Sequence, residues 1–169
     1  ANGGISRYKN IQYFFEEILC RKISKSKIND LAEEYSNLIY KKMLNVKMVE
    51  GASEFLKTFH ERYDLALVSG SDQAELRNIL EVKKLDSYFC EILGSPVEKE
   101  CNLISLLENR KWKADECIYI GDSINDLRAC IKVGLPFLGR QSGMIDWRKE
   151  KVRHIDNLNG LEKVINSCL

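Results

Sequence analysis

The apolar positions change their period along the chain. Tyr8, Ile11, Phe14, Phe15, Ile18 and Leu19 recur at three- and four-residue steps, which predicts an amphipathic helix. A polar break, CRKISKSK, follows at 20–27. Leu31, Tyr35, Leu38, Ile39 and Met43 then line one face of a second helix, with Ser26 expected as its cap and Asp30 in its first turn. No strand pattern precedes residue 62, so 1–47 is expected to form a separate helical piece. Beyond it the pattern alternates. Short apolar runs at 65–71, 88–94, 117–121 and 136–139 read as buried parallel strands. Segments 52–63, 72–85, 98–111 and 124–134 read as helices, the last closed by Gly134, and the segment from Leu158 onward reads as a terminal helix. Strands alternating with helices predict an α/β fold, a doubly wound and mostly parallel Rossmann-like sheet over 48–169.

Composition adds exclusions. With 44% hydrophobic and 30% charged residues the chain can bury a core and stay soluble. A net charge of +1 gives no hint of a nucleic-acid or membrane partner. The basic clusters at 21–27 and 148–154 read as solvated loops or helix ends. No apolar run reaches the ~18 residues a membrane span needs, and no signal peptide is visible. Cysteines stand at 20, 90, 101, 117, 130 and 168 without a CxxC pair, and only two histidines accompany them, so no zinc site is expected. Most lie in apolar surroundings and read as reduced core cysteines of a cytoplasmic protein.

In a doubly wound sheet, ligands bind beyond the carboxyl ends of the strands. Those ends carry Ser69-Gly70-Ser71, then Gly94-Ser95-Pro96 with Lys99 soon after, then Gly121-Asp122-Ser123 with Asp126 four residues past Asp122. Each feature alone has an ordinary explanation: a strand-to-helix turn, a surface lysine, a helix cap. Their order and spacing together point to a phosphate site with a divalent cation. The hydroxyl donates to a phosphoryl oxygen, the lysine neutralises it, and helix N-termini add free N–H groups. A carboxylate holds Mg²⁺, a hard ion that prefers oxygen.

At these residues the chain resembles the haloacid dehalogenase superfamily of phosphohydrolases, in its branch with a small helical cap, such as phosphoglycolate phosphatases. LALVSG with Ser69 matches that family's second motif, SPVEKECNLISLL with Lys99 its third, and YIGDSIND with Asp122 and Asp126 its fourth. NGGISRYKNIQYFF at 2–15 resembles the lead-in to the cap. The resemblance implies a Mg²⁺-dependent phosphomonoester hydrolase acting on a small phosphorylated metabolite. Ser69 and the Gly70 N–H would hold the phosphoryl group, and Lys99 would balance its charge. Asp122 would ligate the metal. Asp126 would ligate it through water or orient Lys99. Arg7, near the cap, and Arg140, after the last short strand, are the cations to watch as substrate contacts. Oligomeric state stays open.

The family's first motif, a strand ending in DxDG that carries the nucleophile, has no match in the 169 residues. As it stands the chain is therefore expected to be inactive. The missing strand would lie between those of the second and fourth motifs. Its absence would leave a gap of roughly 10 Å, twice the interstrand spacing, with unpaired backbone on both sides. A segment outside this sequence, another copy, or a rearranged sheet would have to fill it. A non-catalytic relative that binds a phosphorylated ligand or partner is the alternative. A receiver-like signalling domain is disfavoured by the helices before residue 48 and by the GDxxxD spacing.

Overall fold

A computed structural model describes residues 5–165. The fold is α/β with parallel strands, helices on both faces and a small helical cap. Helices α1 (Arg7–Tyr13) and α2 (Lys25–Asn45) form the cap, and a π-helical turn, Phe14–Ile18, extends α1. The core runs α3 (Ala52–Phe59), β1 (Ala66–Asp72), α4 (Gln73–Val82), β2 (Glu91–Ser95) and α5 (Lys99–Arg110). It continues with β3 (Tyr119–Gly121), α6 (Ile124–Val133), β4 (Phe137–Arg140), β5 (His154–Ile155) and α7 (Leu161–Ile165). No helix among the described residues is long and apolar enough to cross a membrane.

Several boundaries move from the expected ones. The α2 cap is Ser24, not Ser26: its Oγ accepts the Lys27 N–H at 3.2 Å while its backbone is extended, and Ser26 is already helical. The second strand starts at Glu91, because Asp86–Tyr88 is wound into a 3₁₀ turn. The short strand β5 was not expected, since two residues carry no readable period. Among the described cysteines, Cys130 is buried and Cys90 and Cys117 are half-buried, while Cys20 and Cys101 are exposed and stand outside the core. Cys168, and residues 2–4 of the cap lead-in, lie outside the described residues.

The apolar positions of the core divide by face. Val68, Leu103, Leu106, Ala129, Cys130 and Leu135 form one cluster, with Tyr119 and Phe137 against it, so α5 and α6 cover that side. Leu138, Leu161 and Ile165 form a second cluster with Phe55, Ile118 and Ile120, covered by α3 and α7. Tyr119 thus faces one layer and its neighbours the other, as the period of two requires. Trp147 is wholly buried and lies so close under Gly139 that a Cβ there would sit 2.8 Å from its ring.

The parallel strands form two sheets, divided between the strands of the second and fourth motifs, where the sequence leaves a gap. β1 pairs with β2, and β3, β4 and β5 pair in that order, all parallel. β1 and β3 do not pair. A side chain crosses between them: the Tyr119 hydroxyl donates to the Val68 carbonyl at 2.9 Å. The two half-sheets are joined otherwise through α5, which packs on β1 and β2 and also on α6.

That crossing has a testable weight. Tyr119→Phe removes the donor and leaves the Val68 carbonyl on an unpaired edge. A loss of about 1–2 kcal/mol in urea unfolding is expected, and a change near zero would show that the bond does not hold the halves together. Burial, and then the charge of Asp126, push the Tyr119 phenol up. The folded chain keeps a proton that the unfolded chain releases above about pH 10. This contribution is therefore complete below that pH and is lost as the pH rises beyond it.

Candidate functional site

The three strand ends meet in one region because the strands are parallel and their following helices start on the same side. At the end of β1 the chain bulges. Val68 is opposite Leu93 and Asp72 opposite Ser95, so Ser69, Gly70 and Ser71 stand against Gly94 alone. Such a bulge re-aims the side chains at the strand's end. The Ser69 Oγ accepts the Ser71 N–H at 3.1 Å, which folds the bulge back on itself. Gly94 is needed opposite it, since a Cβ there would approach the Ser71 carbonyl to 2.7 Å. At the end of β2, Ser95 is 1% exposed and its Oγ has no hydrogen-bond partner among the described residues. A buried hydroxyl without a partner leaves an unused donor at the site.

Lys99 opens α5 and pairs with Asp126 of α6 through a short contact of Nζ with Oδ1. Their side chains are 13% and 6% exposed. The ammonium also lies 5.9 Å from the Tyr119 ring centroid, a cation–π distance. The other oxygen of Asp126 accepts the Ser123 N–H at 3.0 Å and the Asp122 N–H at 3.2 Å. The Ser123 hydroxyl accepts the Asp126 N–H at 3.1 Å, closing a reciprocal cap on α6. Gly121 makes this possible: a Cβ there would lie 2.7 Å from the Asp126 Cβ. Both oxygens of Asp126 are thus engaged within the protein. Of the two roles implied for it, holding Lys99 is the one its contacts perform.

Asp122 is different. Its side chain is 46% exposed, and its Oδ2 accepts from Arg140 Nη2 at 2.5 Å. The pairing follows from register: Gly121 is level with Gly139 on the adjacent parallel strand, so the next residues, Asp122 and Arg140, are neighbours. Strand register is not written in the sequence, so this partner was not foreseen, although GD and GR at two successive strand ends were visible.

Arg7 lines a cavity of about 700 Å³ that opens on Ser69, Gly70 and Ser71 beneath the cap. Its charge is already matched. Arg7 Nη1 donates to Glu75 Oε2 at 2.6 Å and contacts the Ser36 hydroxyl, and the guanidinium lies over the Tyr35 ring at 5.2 Å. With side chains 10% and 8% exposed, Arg7 and Glu75 form a buried pair that ties α1 to α4. Both bonds leave from Nη1, so the substrate contact expected of Arg7 would fall to Nη2 and Nε. Tyr8 adds a second tie, its hydroxyl donating to Asp72 at 2.8 Å, and Lys9 a third, to Glu98 at 2.7 Å.

No group of three or more His, Cys, Asp or Glu gathers among the described residues. The donor set still suits Mg²⁺, which takes one or two protein carboxylates and fills its remaining positions with phosphate oxygens and water. Asp122 offers such a carboxylate, part-exposed and at a strand end. The Cys130 thiol nearby is pushed up to about 12 by burial and then by Asp126, so it is no nucleophile at neutral pH.

Known proteins share this fold. The model of the haloacid dehalogenase-like hydrolases matches residues 4–139. A phosphoglycolate phosphatase of Vibrio parahaemolyticus is 31% identical over 96 residues, 53% of this chain and 42% of the relative. The chain thus spans less than half the length of that curated relative. Among solved structures, a predicted phosphatase from Clostridium acetobutylicum superposes with a TM-score of 0.80 at 22% identity, over 97% of this chain and 78% of that one. A predicted phosphoglycolate phosphatase from Haemophilus somnus gives 0.75 at 16% identity, over 96% and 79%. At these identities the likeness speaks for the fold, and the family match speaks for descent: the chain belongs to the haloacid dehalogenase-like hydrolases.

Proposed function

We propose that this chain is the cap and phosphate-binding core of a Mg²⁺-dependent phosphomonoester hydrolase that acts on a small phosphorylated metabolite. The observation that carries the reading is the buried Lys99–Asp126 pair, set beside the Ser69–Ser71 bulge and the part-exposed Asp122. In this reading residues 1–47 are the cap and 48–169 the catalytic core. Phosphoglycolate, which the name of the Vibrio relative mentions, is one candidate substrate.

The roles follow from chemistry. The Ser69 hydroxyl and Gly70 N–H bind the transferring phosphoryl oxygens at the bulge. Lys99 faces the same charge as a point cation, held in place by Asp126. Asp122 holds Mg²⁺, which when bound offsets negative charge on the phosphate. Phosphoryl transfer demands positioning and charge neutralisation above all, and these residues supply both. The nucleophilic carboxylate arrives on a parallel strand that fills the space between β1 and β3, where the Tyr119 hydroxyl now crosses. Such a strand would pair both open edges and bring its carboxyl end level with Ser69 and Asp122.

Assay of p-nitrophenyl phosphate tests this. The 169 residues alone should give no Mg²⁺-dependent hydrolysis. Joined behind an apolar strand ending in DxDG, they should give turnover that needs Mg²⁺. Turnover by the chain alone would overturn the missing-nucleophile reading. No turnover by the joined protein, if folded, would favour the non-catalytic binder. In the active form, Asp122→Asn and Lys99→Ala should each lower kcat by about 100-fold or more. Near-normal activity of either at saturating Mg²⁺ would remove that residue from the site.

A further inference from the structure

Arg140 is the one cation at the site whose partner the chemistry above needs for something else. Its backbone is clamped. Arg140 is level with Ile155 on β5, its carbonyl accepts the indole N–H of the buried Trp147 at 3.0 Å, and the next N–H, of Gln141, donates to Ile155 at 2.8 Å. Its side chain is 22% exposed and ends on Asp122, with a weaker bond from Nη1 to the Gln141 carbonyl at 3.3 Å. A fixed root and a part-exposed head place a guanidinium within constant reach of the Asp122 carboxylate.

We propose that Arg140 is a built-in counter-cation that Mg²⁺ must displace from Asp122, and that the freed guanidinium then serves the phosphate. This rests on the metal role of Asp122 proposed above. The guanidinium sits on Oδ2 of Asp122, so Mg²⁺ at either oxygen of that carboxylate lies within a few ångströms of a like charge, and the guanidinium sets a threshold for metal loading. Once displaced it is an unpaired fork of donors at the mouth of a phosphate site, suited to a dianion. Metal and phosphate then help each other: each relieves the charge that the other leaves unbalanced. Such coupling is reciprocal.

Calorimetry of Mg²⁺ binding to the 169-residue chain, with and without inorganic phosphate, tests the exchange. Arg140→Gln should bind Mg²⁺ about two- to five-fold more tightly than the unaltered chain, the range one part-exposed ion pair spans. It should also bind phosphate more weakly and lose the mutual enhancement. Arg140→Lys, which keeps the charge, should stay near the unaltered value for Mg²⁺. In the unaltered chain the Trp147 indole N–H resonance, bonded at the root of Arg140, and the Arg140 Nε–H should both shift on adding Mg²⁺. Equal or weaker Mg²⁺ binding by Arg140→Gln overturns the proposal. Should that variant fail to fold, an Arg140 Nε–H insensitive to Mg²⁺ overturns it instead. Asp122→Asn separates the two ideas. If it binds Mg²⁺ as well as the unaltered chain, or if no form binds Mg²⁺, the metal role itself fails and the exchange with it. If Asp122→Asn alone loses the metal while Arg140→Gln gains nothing, only the exchange fails.

Discussion

Everything at the strand ends depends on one buried ion pair, Lys99 with Asp126. A carboxylate 4% exposed cannot stand alone, because the cost of stripping water from it is several kcal/mol. Here it is met by an ammonium and by two backbone N–H groups at the start of α6. The pair joins the first turn of α5 to that of α6, so it fixes where the ends of β2 and β3 lie relative to each other. It also dictates sequence at a distance. Gly121 must lack a side chain for Asp126 to fit, and Ser123 must cap the helix for the carboxylate to turn inward. Breaking one partner would leave the other buried and uncompensated, a larger loss than the pair's own net worth.

The second constraint is the divided sheet. Two parallel half-sheets share the layer of α5 and α6, whose apolar faces meet in the cluster around Leu103 and Cys130. Parallel strands are normally covered on both faces and paired on both edges. Here β1 and β3 leave facing edges with a phenol between them. The gap opens at the same end as the Ser69 bulge, Lys99 and Asp122. A strand added there would do two things at once: complete the backbone pairing and deliver its terminal residue to the charged end.

Much of this was legible in the sequence. Buried parallel strands write themselves as unbroken apolar runs, so LALVSG and CIYIG stood out, and the small polar residues that end them marked the site. The family resemblance rested on the same residues. Less legible were features set by register or by single contacts. The Ser69–Ser71 bulge depends on how β1 lies against Gly94. The partner of Asp122 depends on β3 and β4 lying level. Trp147 sits in a segment rich in charge, WRKEK, yet it is the largest wholly buried side chain, because Gly139 leaves a surface for its ring. Position alone offers Arg7 as a substrate cation, and nothing in the sequence marks its partner Glu75, 68 residues away. Ser24 and Ser26 are both competent caps, and only the backbone angles decide between them.

The central claim is that three strand ends form one anion site. The most direct measurement is a two-dimensional ¹⁵N–¹H spectrum of the chain titrated with tungstate, a phosphate mimic, in the presence of Mg²⁺. The account predicts that the backbone amides of Ser69–Ser71, of Val97–Lys99 and of Gly121–Ser123 shift together along one binding curve, while those of β5 and α7 stay still. Shifts confined to one strand end, shifts elsewhere on the surface, or separate curves for the three segments would contradict it.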